Sequence, residues 1–218
     1  MTRGWFVTGT DTGVGKTRAS AALLHALRAR HASCVGMKPV AAGTDADGRN
    51  DDVLALRAAS SIAVAPSLDN PVLLPDPVSP HIAAARAGQA IEIAAIVAAY
   101  RALASEADAV VVEGAGGFLV PLSDRHTGAD LAAALGLPVI LVVGLRLGCL
   151  NHALLTRDAV AARGLMLAGW IVNRLDPAMP EQEANLDYLR AQLPAPLLAD
   201  WPWQPEADPR DLPLRLPD

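Results

Sequence analysis

One nine-residue stretch limits the fold more than any other. Gly9-Thr10-Asp11-Thr12-Gly13-Val14-Gly15-Lys16-Thr17 follows a short apolar run, Trp5–Val7, and precedes a segment whose apolar residues recur with helical spacing at Leu23, Leu24 and Leu27. A glycine-rich turn that ends a strand and opens a helix directs backbone N–H groups inward and adds the helix N-terminal dipole. It therefore suits a polyphosphate. Lys16 would reach the terminal phosphates, and the Thr17 hydroxyl would ligate Mg2+. Five residues separate Gly9 from Gly15, where the usual pattern has four. The competing reading is a glycine turn that merely caps an ordinary helix.

A strand–loop–helix opening calls for further strands. Ala109-Val110-Val111-Val112 is a continuous apolar run of the kind found in a central parallel strand buried on both faces. Val139–Val143 and Leu167–Val172 read the same way, and Cys34–Val40 reads as a strand carrying Lys38-Pro39 at its end. Between them helices are expected from Lys16, from Asp51, from Ser79-Pro80, over Ala90–Ala104, over Asn151–Arg163 and over Glu181–Leu193. Pro66–Pro80 holds five of the 17 prolines and reads as irregular. The last 25 residues hold seven and read as a surface wrap. No repeat is visible. The alternation predicts one α/β domain over residues 1–218: a three-layer fold like that of P-loop NTPases, with a mostly parallel central sheet flanked by helices and the proline-rich segment 194–218 packed on it. In such sheets ligands gather at the carboxyl ends of the strands, where Thr8–Thr17, Lys38, Glu113–Gly117 and Asn173 fall.

Composition narrows the function classes. With 18 Lys+Arg against 23 Asp+Glu, the net charge of −5 argues against a nucleic-acid or anionic-membrane partner. Cys34 and Cys149 form no CxxC pair, and the five histidines show no HExxH spacing, so a disulfide scaffold or a zinc site is not expected. The apolar stretch Leu137–Leu145 is broken by Pro138 and Gly144 and falls short of the roughly 18 residues that read as a membrane span. The opening Met1–Val7 does not read as a signal peptide, and the expectation is a cytoplasmic protein. Gly13–Arg18 and Gly114–Leu119 both lack the third glycine of a dinucleotide fingerprint, and in Asp45–Asn50 the glycine is misplaced for a calcium loop.

Carboxylates at two places stand out. Glu113 closes the Ala109–Val112 strand, where an unpaired carboxylate would be costly to bury and a nearby cation would relieve it. A helix-capping or solvent-facing glutamate is the alternative. Asp51 and Asp52 follow the second strand; one could be a helix N-cap and the other a metal ligand, and spacing does not separate them.

These motifs, taken together, resemble the dethiobiotin synthetases. The resemblance rests on Thr8–Thr17 with its extra loop residue, Lys38-Pro39-Val40, Ser79-Pro80-His81, Val112–Gly117, Gly148-Cys149-Leu150-Asn151-His152, Ala168-Gly169-Trp170, Pro196-Leu197-Leu198 and Pro202-Trp203, in order from residue 6 to about residue 203. It implies an ATP-dependent cyclo-ligase that makes dethiobiotin from 7,8-diaminononanoate and CO2 (or bicarbonate), by way of a carbamate and its mixed anhydride with phosphate. It further implies Lys16, Lys38 and Thr12 at the reacting groups, and Mg2+ held by Thr17, Asp52 and Glu113, which selects Asp52 over Asp51. The implied nucleotide contacts are Gly13, Val14, Gly15, Lys16, Thr17, Arg18, Asp52, Glu113, Gly114, Ala115 and Gly116, with Asn173, Arg174 and Pro202 on the adenine side. For the second substrate they are Thr12, Lys38, Ala42 and, across a homodimer interface, Asn151. Ala42 departs from the family, which often has serine or threonine there, and a helix N-cap is the plain alternative for Asn151. Two other classes share the loop. Corrin-type amide ligases normally add a glutaminase domain with a nucleophilic cysteine, for which no residues remain. Partition or targeting ATPases carry a further lysine early in the loop, where this chain has Thr10-Asp11-Thr12.

Overall fold

Six strands run in one direction and divide the molecule into two helical layers. The structure is a computed structural model that describes residues 3–217; Met1 and Thr2 of the opening segment, and Asp218, lie outside the described residues. The chain begins with β1 (Arg3–Gly9), α1 (Lys16–Leu27), β2 (Cys34–Met37) and β3 (Val40–Ala42). It continues through α2 (Asp51–Ala59), α3 (Pro66–Asp69), β4 (Val72–Leu74), α4 (Pro80–Ala87) and α5 (Ile93–Glu106). Then come β5 (Ala109–Gly117), α6 (Gly128–Leu135), β6 (Val139–Leu145) and α7 (Cys149–Ala162). It closes with β7 (Leu167–Arg174), α8 (Gln182–Gln192), β8 (Leu197–Trp201) and a 3-10 turn at Pro209–Asp211. The main sheet has the order β2-β5-β1-β6-β7-β8, and every pairing in it is parallel.

Period-2 alternation along the strands sets the layers. Trp5, Val7, Val111, Ile140, Val142 and Ile171 pack on one face with α1, α2 and the C-terminal Leu212. Phe6, Val110 and Val112 pack on the other face with residues of α4, α5 and α6. Leu141, Val143, Trp170 and Val172 extend that second layer beneath α7 and α8. No helix among the described residues is long and apolar enough to cross a membrane.

Four expectations from the sequence need correction. The run Cys34–Val40 is not one strand. Proline has no N–H for a ladder, and at Lys38-Pro39 the chain leaves the main sheet, so that β3 pairs instead with β4 in a separate two-stranded sheet. The segment Pro66–Pro80 is therefore ordered: it supplies α3 and β4. The last 25 residues do more than wrap the surface, because β8 is the sixth strand. Finally, α6 was not foreseen, and α7 starts two residues before Asn151.

The Trp201 side chain is fully buried, and its indole N–H donates to the Pro213 carbonyl at 2.9 Å. Trp201→Ala should therefore cost about 3–5 kcal/mol of unfolding free energy, as large core truncations do. Urea denaturation measures it, and a loss below about 1 kcal/mol would place the C-terminal strand outside the cooperative core.

Candidate active site

The carboxyl ends of β1, β2 and β5 meet at one point. β5 pairs with β1 on one side and β2 on the other, and Val7 lies opposite Glu113. The strand ends therefore deliver the Gly9–Thr17 loop, Lys38 and Glu113 side by side. Gly15 has φ +93°, and a Cβ there would lie 2.5 Å from Asn173 Nδ2. Only glycine fits that position. Val14 is buried in the core beneath the loop, and its carbonyl accepts from Asn173 Nδ2 at 3.1 Å. The loop is thus anchored at its apolar residue and open at its backbone.

Glu113 is completely buried. Lys38 Nζ donates to Glu113 Oε1 at 2.5 Å and to Asp52 Oδ2 at 2.8 Å. The Thr17 hydroxyl lies 2.6 Å from Asp52 Oδ1 and 2.9 Å from Glu113 Oε1. Burial works against the Lys38 charge, but Glu113 and Asp52 outweigh it and hold the ammonium above its ordinary value. Burial likewise opposes the Asp52 charge, and Lys38 and Thr17 overcome it, so the carboxyl sits below its ordinary range. Lys16 moves the other way: burial, followed by the neighbouring Lys38 charge, lowers it. Its Nζ donates to the Asp11 carbonyl at 3.1 Å.

A magnesium ion fits this donor set. Mg2+ takes oxygen ligands, typically one or two carboxylates together with phosphate oxygens and water. Thr17, Asp52 and Glu113 present a hydroxyl and two carboxylates, and Glu113 Oε2 is buried with no protein hydrogen-bond partner. A cation would satisfy that oxygen. The sequence left Asp51 and Asp52 even on spacing alone. The structure makes neither the cap: Asn50 Oδ1 accepts from Val53 N–H at 3.2 Å, Asp51 is exposed, and Asp52 faces the site.

The other anticipated residues divide. Thr12 lies at the loop mouth beside Gly116, with its hydroxyl 3.6 Å from where a Gly116 Cβ would stand. Gly114 and Ala115 continue β5 past Glu113, and the Gly114 carbonyl lies 3.5 Å from Lys38 Nζ. Gly13 adopts φ +74° with open space around it. Ala42 ends β3 and packs against the core. Asn151 is an exposed residue of the first turn of α7, whose N-cap is Gly148, so the helix-cap alternative is excluded.

Two residues have other duties. Arg174 bonds Asp200 at 2.9 and 2.8 Å and Glu183 at 2.7 Å, which ties the end of β7 to β8 and α8. Arg18 NH2 donates to the Gln204 carbonyl at 2.6 Å and its guanidinium lies 5.9 Å from the Trp201 ring centroid. It thereby ties α1 to the segment that carries the exposed Pro202.

Sequence reasoning missed the residues that hold Lys38. Its N–H donates to the Asp69 carbonyl at 2.8 Å, and its carbonyl accepts from Asn70 Nδ2 at 2.7 Å. Arg57 grips the Asp69 carboxylate with two 2.6 Å bonds. The only local hint was an Asp-Asn pair before Pro71 in a segment read as irregular.

A family model described as an AAA domain matches residues 3–211. The ATP-dependent dethiobiotin synthetase BioD of Aromatoleum aromaticum is 56% identical, over 99% of this chain and 98% of its own. That of Nitrosospira multiformis is 53% identical, over 97% and 93%. Among solved structures, the septum site-determining protein MinD of Pyrococcus horikoshii with Mg-ADP covers 94% of this chain and 83% of its own at TM-score 0.58 and 19% identity. Cobyrinic acid a,c-diamide synthase of Mycobacterium smegmatis, with ADP and magnesium, covers 96% and 90% at TM-score 0.56 and 18% identity. Those two show the fold alone.

The pH dependence of the buried cluster follows from the two shifts. Asp52, lowered from 3.8, contributes stability that is present above pH 3.8 and lost as the pH falls through its lowered value. Lys38, raised from 10.5, contributes stability that is present below pH 10.5 and lost as the pH rises through its raised value. Lys38→Met leaves Glu113 buried without its cation and should cost about 3–5 kcal/mol near neutral pH. The gap between variant and wild type should shrink at both pH extremes. Urea titrations from pH 3 to 11 (about the span of the two shifts) test this, and a gap independent of pH would refute it.

Proposed function

The chain belongs to the dethiobiotin synthetase family and is an ATP-dependent ligase of biotin biosynthesis; on that premise we propose how its own residues close the ureido ring. The substrates are 7,8-diaminononanoate, CO2 and ATP. One amine of the diamine adds to CO2 and loses a proton to give a carbamate. A carbamate oxygen attacks the γ-phosphorus of ATP and releases ADP. The second amine then attacks the carbonyl carbon of the mixed anhydride, expels inorganic phosphate and closes the five-membered urea.

Two anions, carbamate and γ-phosphate, must approach within bonding distance, so the barrier is largely one of charge. The observation that supports this role is the convergence of Lys16 and Lys38 with Thr17, Asp52 and Glu113 at the ends of β1, β2 and β5. Lys16 neutralises the transferring phosphate, and Lys38 bridges carbamate and phosphate from its braced backbone. The Thr12 hydroxyl and the loop N–H groups orient the reacting oxygens. Mg2+, held by Thr17, Asp52 and Glu113, supplies charge neutralisation on the phosphates when bound.

Asn173 reads adenine. One Nδ2 hydrogen serves the Val14 carbonyl, which leaves the second for adenine N7 and the amide oxygen for the N6 amino group. The diamine's aliphatic chain suits the groove of about 250 Å3 between the end of β5 and α7, lined by Thr10, Phe118, Leu119 and Leu155. A homodimer accounts for the exposed apolar side chains on that side: Leu119 is 54% exposed, Leu155 60% and Leu147 92%. Asn151, between Leu147 and Leu155 along the chain, would meet the substrate carboxylate across that interface.

ADP release with diaminononanoate and bicarbonate omitted in turn tests the reaction. Turnover independent of both would refute it. Lys16→Ala and Lys38→Ala should each lower kcat/KM by at least about 10²-fold, the scale of a lost transition-state charge contact. Near-wild-type turnover in either would remove that lysine from the mechanism. Asn173→Ala should weaken ATP binding by about 1–3 kcal/mol and leave the diamine's affinity little changed. Calorimetry reads both, and an unchanged ATP affinity would return adenine to backbone contacts.

A further inference from the structure

The phosphate loop carries a carboxylate of its own. Asp11 stands among the loop residues, where a polyanion must settle, and a bare negative charge there would oppose the ligand. Its Oδ1 accepts from the Thr12 N–H at 2.7 Å, which fixes the turn at Thr12, and its carbonyl accepts from Lys16 Nζ. The other carboxylate oxygen, Oδ2, pairs with Arg146 NH2, 135 residues away in sequence.

Arg146 is not a stray surface arginine. It follows β6 directly, and alternate residues of that strand end are laced to the loop. The Val142 carbonyl accepts from the Thr10 N–H at 2.9 Å, the Gly144 N–H donates to Thr10 Oγ1 at 3.3 Å, and Arg146 takes Asp11. Its carbonyl also accepts from the Cys149 N–H at 3.0 Å, which opens α7. Loop and strand end therefore share one conformation.

We propose that Arg146 is a positioning residue of the nucleotide site, which neutralises the Asp11 carboxylate so that the loop can accept the terminal phosphate of ATP. It rests on the reading that Gly9–Thr17 holds the polyphosphate. Lys16 reaches for the terminal phosphate from beside the Asp11 carbonyl, so the Asp11 charge bears most on the γ-phosphate. Arg146 therefore favours ATP over ADP. Both side chains are almost half exposed, at 45% and 44%, so the pair adds little to folding, and its consequence falls on the ligand.

Binding of a non-hydrolysable ATP analogue and of ADP to the full chain, by calorimetry with Mg2+, tests this. Arg146→Met should weaken the ATP analogue about tenfold, the scale of a nearby uncompensated charge in high dielectric, and ADP clearly less. The melting temperature should move by no more than about 2 °C. Arg146→Met/Asp11→Asn should regain most of the lost affinity, because the carboxylate that needed a partner is gone; a merely structural pair would show no such suppression. Unchanged affinity in Arg146→Met, or a double variant as weak as the single one, would overturn the proposal. Full ATP-analogue binding by Lys16→Ala would instead overturn the reading of the loop itself, and the proposal with it.

Discussion

A carboxylate with no exposed surface, at the end of a central strand, is the constraint around which this molecule is arranged. Glu113 sits where β5 passes between β1 and β2. Removing such a charge from water costs several kcal/mol unless a cation and hydrogen bonds replace the solvent. The chain answers with Lys38 from the end of β2 and Thr17 from the first turn of α1. The two replacements approach from different elements, so those elements must end where they do. β2 stops at Met37, and the next residue supplies the ammonium. Its backbone is then held by Asp69 and Asn70, and Asp69 in turn by Arg57. A demand set by one oxygen pair thus propagates through three side chains to α2 and α3.

The same arrangement suits the proposed binding and catalysis. A site for a polyphosphate and a carbamate needs positive charge that is fixed before the ligands arrive, since reorganising it during the reaction would add to the barrier. Lys38 is buried and bonded at Nζ, at its N–H and at its carbonyl. The loop is fixed by different means: Val14 is driven into the core, and the glycines at 13 and 15 adopt left-handed turns. Rigidity in the loop comes from packing and backbone geometry, and at Lys38 from the carboxylates that hold its ammonium.

Much of this was legible because the motifs sit at strand ends, and strand ends are marked by abrupt changes in composition. The Val-rich run into Glu113-Gly114 and the glycine loop before a helical stripe carry their own boundaries, so the layers and the main charged residues follow. What escaped notice depends on partners far apart in sequence. Asn70 matters only because the chain returns it to Lys38, 32 residues away, and no local pattern encodes that meeting. Arg146 and Asp11 are a more distant case. Proline density misled twice, because β4 and β8 are short and lie between prolines rather than containing them. α6 had a legible signal that went unused: Asp130 accepts from the Thr127 N–H at 2.7 Å, a three-residue capping spacing, and Gly136 ends the helix in the left-handed region.

Fold alone would not have separated a ligase from a nucleotide switch. The fold is shared with MinD and with cobyrinic acid a,c-diamide synthase, at identities of 19% and 18%. Function has to be argued from what the strand ends carry. A switch needs a segment that responds to hydrolysis, whereas a cyclo-ligase must keep two nucleophiles and one phosphoryl group in register through two bond-forming steps. In the proposed mechanism that register comes from cations on braced backbones, and Lys38 has such a brace. In the same mechanism Lys16 and Lys38 serve the reacting anions, and the loop's first half is set by an Asp11–Arg146 pair that ties it to the strand leading into α7. That strand leads to the helix bearing Asn151, so the phosphate end and the proposed substrate end of the reaction are held by one continuous piece of backbone.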